Sequence, residues 1–334
     1  MHCWSDLTEV PADLGRSVVA IGVFDGVHMG HRVLISRAVG AARQAGVPAI
    51  LLTFEPHPAE VVRPEAAPLR LTFAAEKAAL IARLDIDAML VLAFTPDLAH
   101  LEPEQFIATV LRDTLHAQTV VVGENFRFGR RAAGDVALLR REGSSHGFGV
   151  DAVGMVEVEG RTVSSSQIRA FIVAGAVEEA AILLGRLPQV AGPVVRGDAR
   201  GRELGFPTAN LAVPPGAAVP ADGVYAGWLV LADDEASEDR AHPRRFAAAI
   251  SVGTNPTFDG VERRVEAYVI GHDAQPGEAS YLDLYDRQVQ VEFAHRLRGM
   301  VRFDAVPDLV AQMARDVSQA SGLLAGRSSD RPGR

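Results

Sequence analysis

The sequence predicts an α/β domain built on a parallel sheet, followed by a β-rich domain with one closing helix. Three observations carry this. The chain has 334 residues, more than one hydrophobic core ordinarily organises. Its first half alternates short β-branched runs with helical periods, the order that builds a parallel sheet covered on both faces. Its second half repeats strand-like runs, with no long helix between them until the C-terminal segment.

Taken in order, SVVAIGVF (17–24) reads as the first strand and ends in a glycine-rich turn. GHRVLISRAVGAARQAG (30–46) then places Leu34, Ala38, Ala41 and Ala45 on one helical face and stops at Gly46. PAILLTF (48–54), AMLVLAF (88–94) and TVVVG (119–123) are further strands, with helices over 72–85 and 102–116 between them. In such a sheet, ligands bind outside the carboxyl ends of the strands. One long helical segment, SSQIRAFIVAGAVEEAAILLG (165–185), leads to a boundary near GRLPQ (185–189). Beyond it come QVAGPVVRG, GVYAGWLVL, RFAAAISVG, RRVEAYVIG and RQVQVEF, all strand-like. The closing helix over 304–321 shows Val306, Leu309, Val310, Met313 and Val317 at the spacing needed to cover a barrel. These readings give domains at 1–186 and 187–322 and a disordered tail at 323–334, with the charged segment 232–245 as a solvated loop.

Composition narrows the function classes. Cys3 is the lone cysteine, so no internal disulfide forms and a reducing, cytoplasmic setting is expected. No apolar stretch reaches the length of a membrane span, and the N-terminus carries Asp6 and Glu9 where a signal peptide needs an apolar block. A net charge of -9 opposes non-specific nucleic-acid binding, which needs a basic surface. The expected partners are small molecules, with no nucleic acid and no membrane, on a monomer or weak homo-oligomer.

GVFDGVHMGH (22–31) is the densest chemistry in the first half. Gly22 and Gly26 let backbone approach a ligand, and the following helix offers free amides and a positive dipole end to phosphate. His28 and His31, three apart at the helix mouth, can donate to phosphate oxygens and stabilise charge developing on an α-phosphate. A zinc site is the chemical rival, but a third ligand at useful spacing is missing. In the second half, GPVVRGDARGRELGFPTANL (192–211) joins Gly197, Gly201 and Gly205 to Arg196, Arg200 and Arg202 in an amide-rich, basic stretch. Thr208 and Asn210 alternate in PTAN and share a face if extended, which suits Mg²⁺ held jointly with ATP phosphates. No Walker lysine follows the glycines.

GVFDGVHMGH resembles the signature of the nucleotidyltransferase superfamily. LTFEPHP (52–58), VVGENFRFG (121–129) and VSSSQIR (163–169) narrow the resemblance to the adenylyltransferase module of bacterial bifunctional riboflavin kinase/FAD synthetases. The glycine stretch, with GVYAG (223–227), ISVGTNPTFDG (250–260), RRVEAYVI (263–270) and 284–303, resembles their riboflavin kinase module. The resemblance implies a Rossmann-like N-terminal domain and a six-stranded C-terminal β-barrel. It implies phosphorylation of riboflavin to FMN by the barrel and adenylylation of FMN to FAD by the N-terminal domain, with ATP as co-substrate.

By the same resemblance, the adenylyltransferase ATP site takes Gly22, Phe24, Gly26, His28, His31, Asn125, Ser164, Ser165 and Arg169, with His28, His31 and Arg169 acting on the phosphates. Pro56, Pro58 and Asn125 lie beside the flavin. In the barrel, Gly197, Gly201, Gly205, Thr208 and Asn210 hold ATP and Mg²⁺, Glu266 is the base for the ribityl hydroxyl, and Arg298 lies near the flavin with Glu266. Asn125, Ser166 and the segment at Met300 depart from residues common in relatives. Other readings stand beside this one: another H-x-G-H nucleotidyltransferase, a class I aminoacyl-tRNA synthetase, or a flavin-binding sensor without turnover. The synthetase would want a lysine loop where SSSQIR stands, and the sensor would show loss of His28, His31, Thr208, Asn210 or Glu266, all of which are present.

Overall fold

A computed structural model describes residues 1–197, 200–231, 244–257, 260–272 and 282–326. Most of the charged segment 232–245, the residues 327–334 and the side chains of Arg200 and Arg202 lie outside the described residues. The chain divides into two compact units, 1–165 and 166–334.

The first unit holds six parallel strands: β1 (His2–Trp4), β2 (Ser17–Ile21), β3 (Ala49–Glu55), β4 (Ala88–Ala93), β5 (Ala117–Gly123) and β6 (Gly149–Val153). They lie in the order β1-β4-β3-β2-β5-β6. All five residues of β2 are buried, as a central strand covered on both faces requires. Helix α1 (Met29–Ala45) packs Leu34, Ile35, Ala38 and Ala42 inward, and Gly46 ends it at φ 65°. The apolar face is therefore rotated from the expected one, with Ala45 exposed. Short α2 (Pro58–Val62), then α3 (Ala74–Ala82), α4 (Pro96–Ala99), α5 (Pro103–Phe106) and α6 (Val136–His146) complete the cover. The helix expected over 102–116 continues beyond α5 as a π-helical stretch, Ile107–Thr114, a local widening that often accompanies functional sites. A small hairpin, β7 (Glu157–Val158) and β8 (Arg161–Thr162), precedes α7 (Ser165–Ala174).

The single helix expected over 165–185 is two, α7 and α8 (Val177–Leu184), broken at Gly175 with φ 78°. A Cβ there would fall 2.7 Å from the Tyr225 hydroxyl, so close packing as well as conformation demands glycine. The second unit then closes a six-stranded antiparallel barrel from β9 (Gln189–Val195), β10 (Thr208–Leu211), β11 (Gly223–Leu231), β12 (Arg245–Thr257), β13 (Gly260–Val269) and β14 (Gln288–Arg298), in the order β10-β13-β12-β11-β14-β9. A turn of helix, α9 (Arg200–Glu203), sits between β9 and β10. Val265, Ala267, Val269, Ile250, Val252 and Leu211 fill the barrel. Ala226, Trp228, Tyr268 and Ala294 face outward beneath α10 (Val306–Ala325).

Helix α10 covers the barrel as expected: Leu309, Val310, Met313 and Val317 are all partly buried, and Val317 packs on the cluster beneath. Its fully buried residues are Asp316, Ala320 and Leu324, whereas Val306 is exposed. The helix also extends to Ala325, three residues into the segment expected as tail. Asp316 is tolerated in the buried stripe because Arg298 meets it with three hydrogen bonds of 2.6 to 3.1 Å.

Candidate active sites

In the first sheet, chain order runs outward from β2 through β3 and β4, then crosses back to β5. The strand order thus reverses between β2 and β5, and their carboxyl ends bound the crevice where such sheets bind ligands. Residues 22–28 leave β2 at this point, and Asn125 sits in the turn that follows β5, closed by the Phe126 amide on the Gly123 carbonyl at 3.0 Å.

The loop after β2 is tightly wound: Phe24, Gly26 and Val27 have φ of 52°, 86° and 40°. Such conformations persist in non-glycine residues only when the surroundings impose them. Here Asp25 does so. It is 3% exposed, and its carboxylate accepts the amides of Leu71 (3.0 Å) and Thr72 (2.9 Å). Thr72 in turn accepts the Gly26 amide at 2.9 Å. The Ser165 hydroxyl, at the end of the first unit, donates to the Asp25 carbonyl at 2.9 Å. Arg169 stands one turn further along α7.

His28 is the N-cap of α1, its Nδ1 accepting the His31 amide at 3.3 Å. An accepting Nδ1 leaves the proton of a neutral imidazole on Nε2. The two imidazoles stack with centroids 3.6 Å apart, and Phe24 meets His31 edge-on at 5.2 Å. Gly30 leaves room for the stack: a Cβ there would lie 3.2 Å from the His28 ring, which would have to give by a few tenths of an ångström.

A cavity of about 850 Å³ opens beside this loop, lined by Gly22 and Val23 on one side. Its walls carry Phe54, Phe94, Phe106, Phe126 and Phe128, with Arg127, Arg130 and Arg131 also on the lining. Phe126 and Phe128 stack at 5.4 Å, and Phe54 meets Phe94 edge-on at 5.7 Å. His57 and Pro58 line the cavity at the start of α2, with Pro56 just before them and the Glu55–Pro56 peptide cis. A flat aromatic ring system with a charged tail fits such a wall. The aromatic residues escaped the sequence reading because they come from four separate segments with no common spacing.

The barrel's candidate site is a row across its outer face. Strand register sets Asn210 opposite Glu266, Glu266 opposite Ser251, Ser251 opposite Val224 and Val224 opposite Arg298. Because Val265 and Ala267 point inward, Glu266 points out, on the same face as Asn210 and Thr208. Thr208 donates to the Glu266 carboxylate at 3.4 Å. Ser251 was invisible to motif reading and becomes a neighbour only through register. Arg298, at the far end of the row, is engaged by Asp316.

The glycines above this row have separate reasons. A Cβ on Gly197 would strike the Asn210 amide at 2.4 Å, and one on Gly201 the Phe206 carbonyl at 2.4 Å. Gly205 needs its φ of 86°. The stretch expected as an open loop therefore contains the turn of α9 packed onto Thr208 and Phe206. Beside Thr208 lies a small cavity of about 80 Å³ bounded by Pro207, Ala267, His272 and Tyr285. Thr208 and Asn210 offer neutral oxygen donors, and no group of three or more His, Cys, Asp or Glu that could hold a metal occurs among the described residues. Such a donor set fits a hard cation whose remaining ligands are phosphate and water, and not a cation caged by protein alone.

Comparison with known proteins agrees with this division of labour. The FAD synthetase family model matches residues 10–167, and the riboflavin kinase model matches 184–324. A bifunctional riboflavin kinase/FMN adenylyltransferase of Pseudomonas fluorescens is 35% identical over 309 residues, covering 92% of this chain and 93% of its own. That of Escherichia coli K12 is 32% identical over 311 residues, covering 93% of each. A crystal structure from Streptococcus pneumoniae, described as a macrolide-efflux protein, superposes with a TM-score of 0.81 at 32% identity over 95% of this chain and 97% of that one. Among the described residues here, no helix is long and apolar enough to cross a membrane. With a reversed parallel sheet bearing the H-x-G-H loop, and a closed barrel bearing the Thr-x-Asn and glutamate row, the chain belongs to the bifunctional riboflavin kinase/FMN adenylyltransferase family, its FAD synthetase module first and its riboflavin kinase module second.

Proposed function

We propose that the two activities of this family divide between the sites described above, with a functional boundary at 186/187. In the barrel, the ribityl 5′-hydroxyl oxygen of riboflavin attacks the γ-phosphorus of ATP, ADP leaves, and Glu266 accepts the hydroxyl proton, giving FMN. A base in this position contributes about 10²- to 10⁴-fold. Gly197, Gly201 and Gly205 let backbone amides approach the phosphates, while Thr208 and Asn210 would hold Mg²⁺ together with them. When bound, that ion neutralises phosphate charge. Arg298 acts through its pairing with Asp316, fixing β14 against α10 beside the flavin.

In the N-terminal module, 1–186, an FMN phosphate oxygen attacks the α-phosphorus of a second ATP, the bond to the β-phosphate breaks, and FAD and pyrophosphate form. His28 donates from Nε2 to the phosphate oxygens, His31 stacks behind it, and Gly22, Phe24 and Gly26 shape the loop around the triphosphate. Ser164, Ser165 and Arg169 bind the departing phosphates, Arg169 with the forked geometry that suits them. The aromatic cavity holds the isoalloxazine ring beside Pro56, Pro58 and Asn125. The carrying observation is that this cavity and the His28 loop adjoin at the reversal point of the sheet.

We take the substrates to be riboflavin, FMN and ATP, in the cytoplasm, without nucleic-acid or membrane partners. Chromatography of riboflavin, FMN and FAD over time, with ATP and MgCl₂, tests the assignment. Glu266→Ala should abolish FMN formation and retain FMN adenylylation, and His28→Ala should do the reverse. Loss of both activities in either folded variant contradicts the division.

A further inference from the structure

Residues 70–77 line no part of the aromatic cavity, yet they are bonded both to the nucleotide loop and to two carboxylates that neighbour cavity-lining residues in sequence. On the nucleotide side, the amides of Leu71 and Thr72 hold Asp25. Lys77, only 2% exposed, donates from Nζ to the Val23 carbonyl at 3.3 Å and to the Thr53 hydroxyl at 3.4 Å. Thr53 passes its own hydrogen to the same carbonyl at 3.0 Å. On the flavin side, Arg70, 8% exposed, donates from Nη2 to both Glu55 carboxylate oxygens (2.9 and 2.8 Å) and from Nη1 to Glu60 at 2.8 Å. Glu55 ends β3, and Glu60 lies on α2 between cavity-lining Ala59 and Val61. The ammonium of Lys77 also stands 3.8 Å from Glu55, closing the chain of charges.

Two buried cations are an expensive way to fill space, and apolar side chains of similar length would serve packing better. Burial pushes the Lys77 ammonium below the usual lysine range, with the Glu55 charge opposing that shift. What an apolar residue cannot do is grip the Val23 carbonyl, which fixes the backbone just before the strained Phe24. Nor can it hold β3 and α2 together as Arg70 does.

The geometry points to Lys77 and Arg70 as positioning residues that tie the nucleotide loop to the flavin wall, so that a change at either subsite is felt at the other. This rests on the aromatic cavity being the flavin subsite of adenylylation. The test is crosswise. In Glu60→Gln, altered only on the flavin side and half-exposed, steady-state adenylylation by the full chain should show KM for ATP and KM for FMN rising together. Interaction energies between coupled neighbours in one network correspond to about 2- to 150-fold in such a constant. Lys77→Met should raise both constants, and Lys77→Arg should recover part of the loss, with thermal unfolding of each variant as the control for folding. A Glu60→Gln protein that melts like the unaltered chain but changes only KM for FMN, or neither constant, overturns the proposal. An unaltered chain without adenylylation overturns the functional reading and this proposal with it.

Discussion

Gly30 shows how much one residue can carry. A methyl group at this position would press on the His28 ring at 3.2 Å, yet in a helix alanine is about 1 kcal/mol more favourable than glycine. Gly30→Ala should therefore leave the melting temperature unchanged or slightly raised while FMN adenylylation falls and riboflavin phosphorylation continues; assaying both activities beside a thermal melt checks this. Asp87 makes a different case. Two hydrogen bonds from Arg43, with a third from the Ala49 amide, hold its carboxyl below the usual range. A carboxylate with a depressed folded pKa stabilises above its unfolded value of about 3.9, and that contribution disappears as pH falls through the folded value. Asp87→Asn should lower the denaturant midpoint at neutral pH by an amount worth about 0.5–1 kcal/mol, since the pair is partly exposed, and the gap should close in acid. At this scale the sequence is most readable where partners are near: His28, Gly30 and His31 sit within one turn. Asp25 and Leu71, or Arg70 and Glu55, are distant in sequence, and only the fold makes them neighbours.

At the level of elements, strands were easier to read than helix faces. Continuous apolar runs such as SVVAI leave little choice for a buried strand, whereas helix faces were read in part: α1 buries Leu34 and Ala38 as expected but Ala42 rather than Ala45, and α10 adds a charged residue to its expected stripe. In α10 that residue is Asp316, which apolar periodicity rejects and which the structure buries at 4% exposure against Arg298. Removing one partner of a buried pair costs about 3–5 kcal/mol, because the other charge is left uncompensated. Asp316→Ala should accordingly destabilise the barrel by this amount in denaturant unfolding, and Arg298→Met with Asp316→Leu should recover much of it. The break between α7 and α8 was hidden for a related reason. Gly175 sits in an otherwise unbroken helical pattern, and the close approach that leaves no room for a side chain there comes from Tyr225, fifty residues away. The barrel row was only half legible, since alternation gives Glu266 a face but register alone supplies Ser251 as its neighbour.

For the whole chain, the order of the two modules was legible because each carries several motifs in sequence. The described groups of the two candidate sites share no residue. FMN made at one therefore has to reach the other, and a mixture of the His28→Ala and Glu266→Ala proteins should convert riboflavin to FAD through FMN in solution. FMN accumulating without FAD in that mixture would mean that the Glu266→Ala protein does not take up free FMN, against the division of activities. The units also differ in how their sheets end. The barrel closes on itself and has no open side. The parallel sheet instead relies on β1, three residues long, to pair with His2, Cys3 and Trp4 against Ala88, Met89 and Leu90 of β4. Shortening the chain by those few residues would bare a strand of sequence AMLVLA with its hydrogen-bonding groups unsatisfied, a template on which other copies can polymerise. Strand β1 thus covers the edge of β4, and light scattering of a variant lacking residues 2–4 should rise with concentration while the unaltered protein stays clear.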